Sequence, residues 1–529
     1  MFGRSKKESL YKGHFQKRLR LLYSDEQEHK WIFITQYINS IMSVKQEMIN
    51  GVIWTAIQKY SGLLIQLFVT AILARLLEPI DFGVIAIASV LISFLGMFTE
   101  MGFSAAIIQN QSLLQKDLNS IYSFCTYVGC ITCVIFFFSS NYIATYYVDQ
   151  RLSTICKLLS VNMLFSGLNI VPNALILKAK RFKLLAKRTL GFQLISGIIS
   201  ILAAYSGLGV YTLLISPIFT AIGVFFVNYH IYPQKFVFRI NFDSIKKVVN
   251  FSIFDFLSNF VNYFSRNLDK LIIGRYFSLN ELGYYEKSYR LMMMPLEYIT
   301  RTIDPVVHPI FSQFQNDKFY LSKKYNQIVK LISTISFPLG AFLYFAAHDL
   351  IHLFFGDKWD AAIPVFQILS ISVPLQMILS TIGGIYKSTG KVNWQFFGGN
   401  LNTVITISGF ILAAIYYKSI EAIAWAWVTT LTINFINSYI ILYAFCLKQS
   451  PLPMLRELIV PFGIMITIFT SLYFIQPHII SLPTLLSLSI STAITITEML
   501  FITHITKRYD IIKLFILIYN KIRIKNNFN

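Results

Sequence analysis

The chain has 529 residues, of which 55% are hydrophobic and only 13% charged, about half the charged share of a soluble protein. That balance excludes a soluble enzyme, and it excludes a nucleic-acid binder despite 46 Lys and Arg against 25 Asp and Glu, a formal net charge of +21. The positive surplus sits in alternate loops between apolar runs, which is how a multi-pass membrane protein records its orientation.

Residues 1–47 are polar and basic, with Arg4, Lys6, Lys7, Lys12, Lys17, Arg18 and Arg20. They read as a cytoplasmic tail, and Met42 could equally serve as a translation start. Apolar runs follow at about 50–76, 83–107, 118–140, 153–177, 189–205, 208–230, 248–273, 281–309, 327–347, 361–386, 394–416, 420–446, 455–475 and 483–504. Each is close to the ~20 residues that cross a bilayer as a helix. The fold expected is therefore an all-α polytopic membrane protein of about fourteen transmembrane helices.

The loops that carry Lys and Arg are those around 178–188, 235–247, 318–324, 387–391 and 448–456, and the segment 507–525 continues the series. The intervening loops hold little beyond Lys358 and Lys418. The positive-inside rule then places both termini in the cytoplasm. No external loop exceeds about 16 residues, which leaves little room for the catalytic domain of a membrane polymerase or ligase. The CxxC at Cys130 and Cys133 has no histidines or second pair nearby, so the five cysteines read as structural thiols, and neither a metal nor a cofactor is expected. Trp54, Trp359, Trp394, Trp425 and Trp427 lie near predicted span ends, where an aromatic belt would put them.

Two spans break the apolar pattern. Between 248 and 273, Asp255, Asn259, Asn262, Arg266 and Asp269 recur at spacings of three and four. Between 281 and 309, Glu286, Arg290, Glu297, Arg301, Asp304 and His308 recur at three, four and seven. Those spacings put each set on one helix face. A single Asp, Lys or Arg at mid-bilayer costs about 2.5–3.5 kcal/mol, so a lipid-facing stripe of five would cost on the order of 10 kcal/mol. The stripes must face protein or water, and they are predicted to wall a polar cavity.

An internal repeat supports this. Residues 71–83 (AILARLLEPIDFG) align without gaps to 271–283 (LIIGRYFSLNELG), matching Arg75 with Arg275, Asp81 with Glu281 and Gly83 with Gly283 at a constant offset of 200. The two copies start from the same side of the membrane, the mark of a parallel repeat whose halves rock about a site between them. The expected division is a tail at 1–47, a first lobe at 48–247, a second lobe at 248–447, two extra spans at 448–505 and a basic tail at 506–529.

Met42-Ser-Val-Lys45, Gly51-Val-Ile-Trp54, Gln58-Lys59, the turn Leu77–Gly83, Glu100–Ile107 and Asp269–Arg275 followed by Leu282-Gly-Tyr-Tyr285 resemble the Wzx-type (WzxC-like) polysaccharide flippases of the multidrug/oligosaccharidyl-lipid/polysaccharide exporter superfamily. The resemblance covers about 42–505. It implies fourteen helices in two lobes around a cationic cavity. It also implies a bacterial inner-membrane protein, a monomer, that moves undecaprenyl-pyrophosphate-linked oligosaccharides between leaflets alongside a polysaccharide polymerase and chain-length proteins.

Such a substrate needs positive charge for its pyrophosphate, and arginine's planar fork suits phosphate. The candidates are Arg266, Lys270, Arg290 and Arg301, with Lys59 from the first lobe. Gln66, Asp255, Asn259, Asn262, Asp269, Glu286, Glu297 and Asp304 are expected to line or gate the cavity. Local pairing is the competing reading, because Glu286/Arg290 and Glu297/Arg301 are acid-before-base pairs at i, i+4. Arg266 and Lys270 could also snorkel to the interface, and Arg75 and Arg275 read as braces at the turns. A multidrug or cation antiporter of the same superfamily remains an alternative, as does a membrane polymerase or ligase.

Overall fold

The computed structural model describes residues 25–300, 311, 314, 315 and 317–507, with side chains from residue 50 onward except 247, 249–259, 261, 262, 265 and 392. Arg301, Asp304, the C-terminal tail and the side chains of Asp255, Asn259 and Asn262 therefore lie outside the described residues.

In lipid, every backbone N–H and C=O must find its partner within the segment, so apolar runs of this length become helices. The first group is α1 (Asp25–Leu76), α2 (Pro79–Glu100), α3 (Phe103–Gln109), α4 (Gln115–Tyr146), α5 (Arg151–Lys178), α6 (Phe182–Tyr205) and α7 (Thr212–Ile231). Then come α8 (Phe242–Tyr276), α9 (Leu279–Tyr298), α10 (Lys318–Phe345), α11 (Ala347–Phe354), α12 (Ala362–Ser370), α13 (Val373–Leu379), α14 (Ile382–Ser388), α15 (Val392–Tyr416), α16 (Ile420–Ile441), α17 (Leu452–Ile479) and α18 (Thr484–Ile505). Helix α1 has 52 residues, so at ~1.5 Å per residue it runs far beyond one bilayer thickness. Residues 25–47, expected as part of a loose tail, continue it.

Among the described residues, eleven helices are long and apolar enough to cross a membrane, or twelve if a bent pair counts as one. That pair is the predicted tenth span, broken between Ala362–Ser370 and Val373–Ser388 with a 48° bend. The break comes at Pro374, near the start of α13, where the missing N–H and fixed φ favour a new helix over continuation of the old one. The other two predicted spans fall on α8 and on α9, the latter described as far as Tyr298.

The repeat is visible in the backbone. Helix α1 ends at Leu76 and α8 at Tyr276; α2 begins at Pro79 and α9 at Leu279, the same offset of 200. The matched acids have a shared task. The Asp81 carboxylate accepts the Glu78 N–H at 3.2 Å, and the Glu281 carboxylate accepts the Ser278 N–H at 2.8 Å. Each closes the first turn of its helix and favours its positive end. The arginines brace neighbours. Arg75 donates to the carbonyls of His352 (3.4 Å) and Leu353 (2.9 Å) at the end of α11, and Arg275 lies 4.8 Å over the Tyr146 ring.

The glycines meet each other. A Cβ added at Gly83 would lie 1.7 Å from the Leu279 carbonyl oxygen, and one added at Gly283 would lie 2.1 Å from that of Pro79. Swapping i for i+200 turns one contact into the other, so a local two-fold relation passes between the two residues. There α2 packs on α9.

Helices α1 and α4–α7 pack mainly on one another, α10 and α12–α16 belong to a second group, α2 packs on α5 of the first and most heavily on α9 of the second, and α8 touches both. At the turn end the groups are fastened by Lys358 Nζ to Glu78 (2.6 Å) and by the Trp359 indole, which donates to the Ala74 carbonyl at 3.0 Å. Trp359 is fully buried against Phe82, Tyr284 and Phe355, and Trp427 is buried beside Phe410. Neither belongs to an interfacial belt; sequence position near a span end does not say which way a ring points. Trp359→Ala is expected to cost about 3–5 kcal/mol and Trp359→Phe, which keeps a ring but loses the hydrogen bond, about 1 kcal/mol. Thermal unfolding of the purified variants checks this, and equal losses would place the whole effect in the hydrogen bond.

Candidate functional site

Three helices enclose a cavity of about 390 Å³ below the glycine contact. Helix α2 gives Phe82, Ile85, Ala86, Ser89, Val90 and Ser93, one face at spacings of one, three and four. Helix α8 gives Tyr263, Arg266, Asn267 and Lys270, and α9 gives Glu286, Lys287, Tyr289, Arg290, Met293 and Glu297. The two repeats thus build unlike walls. The first is apolar with two hydroxyls; the second carries every charge, four basic against two acidic. Helix α2 is held to α8 by the Tyr263 hydroxyl, which donates to the Val90 carbonyl, and by Phe94 against Phe264.

The charges are held by one another and by aromatic rings. Glu286 lies 3.8 Å from both Lys287 and Arg290. Lys287 is only 5% exposed, with Nζ 4.0 Å from the Phe82 ring centre, and Lys270 Nζ stands 5.2 Å over Tyr289. Such contacts orient an ammonium without neutralising it. The Arg290 side chain is 58% exposed, so its contact with Glu286 leaves most of the guanidinium open.

Of the predicted bases, Arg266, Lys270 and Arg290 line this cavity, as do Glu286 and Glu297. Lys59 lines neither this cavity nor the smaller one beside it. Its ammonium bonds the Glu297 carbonyl at 2.6 Å and lies 5.4 Å from the Tyr298 ring. The long stem reaches the last turn of α9, where carbonyls attract a cation, and so ties α1 to α9. Asp269 does not face the cavity. It is fully buried and accepts the Tyr285 hydroxyl at 2.9 Å. The lining face of α8 runs through 263, 266, 267 and 270, and position 269 falls to its flank. Gln66 lines a cavity of about 70 Å³ behind α9, with Thr70, Lys287, Arg290 and Glu297 also on its wall.

Sequence reasoning passed over Lys287, Tyr263, Asn267, Ser89 and Ser93. Lys287 had a signal: it lies three residues before Arg290 and so shares that face. The serines had none, because a hydroxyl in an apolar helix usually bonds its own backbone.

The polysaccharide biosynthesis protein family matches residues 72–364. The chain is 23% identical over 412 residues to the teichuronic acid biosynthesis protein TuaB of Bacillus subtilis, covering 77% of this chain and 85% of that protein. It is 23% identical over 433 residues to the lipopolysaccharide biosynthesis protein WzxC of Escherichia coli, covering 80% and 86%. In fold it resembles the lipid II flippase MurJ, with a TM-score of 0.68 at 16% identity over 86% of this chain and 99% of that one. An inward-facing MATE-family multidrug transporter gives 0.55 at 14% identity over 73% and 95%.

Proposed function

Because this chain belongs to the polysaccharide biosynthesis protein family, we propose that it is a flippase for lipid-linked oligosaccharide repeat units, carrying them across the bacterial inner membrane for surface polysaccharide assembly. The observation that carries this reading is the unlike pair of walls around the cavity. A lipid-linked glycan has a pyrophosphate, a polar sugar chain and a polyprenyl tail. The charged wall of α8 and α9 suits the pyrophosphate, with Arg266 and Arg290 offering planar forks and Lys270 a compact charge. The apolar wall of α2 and its two serines suits a ligand that is neither fully ionic nor fully greasy. The names of TuaB and WzxC point to the same class of substrate.

In this reading residues 48–247 and 248–447 are the two lobes, and the pair of glycines at 83 and 283 marks the axis between them. The positive-inside loops put the turns that carry Gly83 and Gly283 on the outer side, so the cavity is closed outward. Transport is then a rocking of the lobes that opens that end and closes the other, with no bond made or broken. The substrate is an undecaprenyl-pyrophosphate glycan, the chain acts as a monomer, and a polymerase with its chain-length proteins takes the product.

The test is reconstitution in vesicles with a defined undecaprenyl-pyrophosphate glycan, followed by an assay of which leaflet exposes the sugar. Wild-type protein is expected to equilibrate the two leaflets. Arg290→Ala is expected to slow this by about tenfold or more, the loss of one charge-assisted bidentate contact, with its thermal midpoint retained because the side chain is mostly exposed. Leaflet exchange no faster than in protein-free vesicles, with a lipophilic cation transported instead, would replace the flippase by a drug antiporter.

A further inference from the structure

A third cavity, of about 530 Å³, lies away from the central one, among α1, the α5–α6 turn and the start of α6. Its wall carries Lys178, Lys180, Arg181 and Lys183 with Asn50 and Trp54, and no acid stands among the described lining residues. One apolar span ends there at Lys178 and the next begins at Phe182, and the first apolar run of the sequence starts beside them at about residue 50. The cavity therefore lies at the level where hydrocarbon gives way to lipid headgroups.

The cations are placed. Lys178 Nζ donates to the carbonyls of Ile107 (3.0 Å) and Asn110 (2.6 Å), which fixes one side of the wall. Arg181 lies 5.5 Å from the Tyr232 ring and Lys183 5.6 Å from the Trp54 ring. Rings hold a cation in position while leaving its hydrogens for a partner. Gly51 makes the floor close: a Cβ there would lie 2.9 Å from the Phe182 ring. No side chain caps the start of α6, whose positive end adds to the field.

We propose that this cavity is a binding site for the phosphate headgroup of an anionic phospholipid of the surrounding leaflet. A basic pocket between spans, at headgroup depth and edged by aromatic rings, matches a phosphodiester whose acyl chains continue along α1 and α6. The loop charges that set orientation would act anywhere on the loop; the rings and the cavity give these particular cations a shape to recognise.

The experiment takes full-length protein from nanodiscs of equal phosphatidylglycerol and phosphatidylcholine, and native mass spectrometry counts the lipids retained. Wild type is expected to keep phosphatidylglycerol over phosphatidylcholine by about tenfold. Lys180→Gln/Arg181→Gln/Lys183→Gln is expected to lose that preference, and Lys318→Gln/Lys323→Gln/Lys324→Gln, a basic cluster at the start of α10, to keep it. Equal retention of both lipids by wild type would overturn the site, and so would equal loss in the two triple variants, since that means diffuse surface charge. Displacement of the retained lipid by millimolar inorganic phosphate would make the ligand a soluble anion and overturn the lipid. Should the first triple variant not fold, Lys183→Gln alone is expected to lower the preference about threefold, and an unchanged preference would count against the site.

Discussion

Gly83→Ala and Gly283→Ala are each expected to destabilise the protein by about 1–3 kcal/mol and to stop transport, the cost of forcing an atom into a packed interface. At both positions the atom in the way is a backbone carbonyl oxygen, 1.7 Å and 2.1 Å from the new methyl carbon. A side chain could turn aside; a carbonyl inside the first turn of a helix cannot move without its helix. Helices α2 and α9 must therefore separate where they roof the cavity. Because one separation makes room for both methyls, the double variant should cost clearly less than the sum of the singles, a coupling in the range of about 0.5–3 kcal/mol. Thermal unfolding of the four proteins in one detergent measures the cycle. Additive losses would mean that the two glycines do not share an interface, and the two-fold relation between the turns would go with it.

Lys287→Met is expected to cost about 3–5 kcal/mol, because it strands a buried carboxylate. The Glu286 side chain is 15% exposed and Lys287 6%. Without the lysine, Glu286 loses its buried partner and keeps the largely exposed Arg290 at 3.8 Å, and the Phe82 ring loses the ammonium lying on it. The wall would fall from four basic and two acidic groups to three and two, a net drop from +2 to +1. The double variant Glu286→Gln/Lys287→Met has three basic groups and one acid, a net of +2 again, and no stranded charge. Both stability and flipping are expected to recover in it, since Arg290 is then released to the substrate. Recovery of stability with flipping still absent would instead make Lys287 a direct contact of the phosphate.

These two predictions rest on residues that differ in how much their sequence context revealed. Gly83 and Gly283 stand out as matched positions of a repeat, yet nothing in the letters says that the two copies touch. That follows from chain halves 200 residues apart folding around a common axis. Glu286 and Arg290 are legible as a helix-face pair, and the structure gives them that contact. Lys287, three residues before Arg290, was legible on that face too, but not its burial. Its burial comes from α2, a neighbour supplied by the other half of the chain. Lys59 shows the reverse case: a base inside an apolar span looks like a ligand for anions, but its stem is long enough to reach the end of α9 and it is used as a tie.

The chain by itself determined that this is a helical membrane protein with one helix–turn–helix repeated at an offset of 200, because lipid leaves the backbone no other way to bond and because charge in such segments must be hidden. It also fixed where the turns fall and which helices are polar. Only the tertiary structure decided which polar groups share a cavity, which are buried against a neighbour, and which rings sit between the halves. Periodicity along one helix fixes the angle between side chains, and the packing of distant helices fixes what each angle looks out upon.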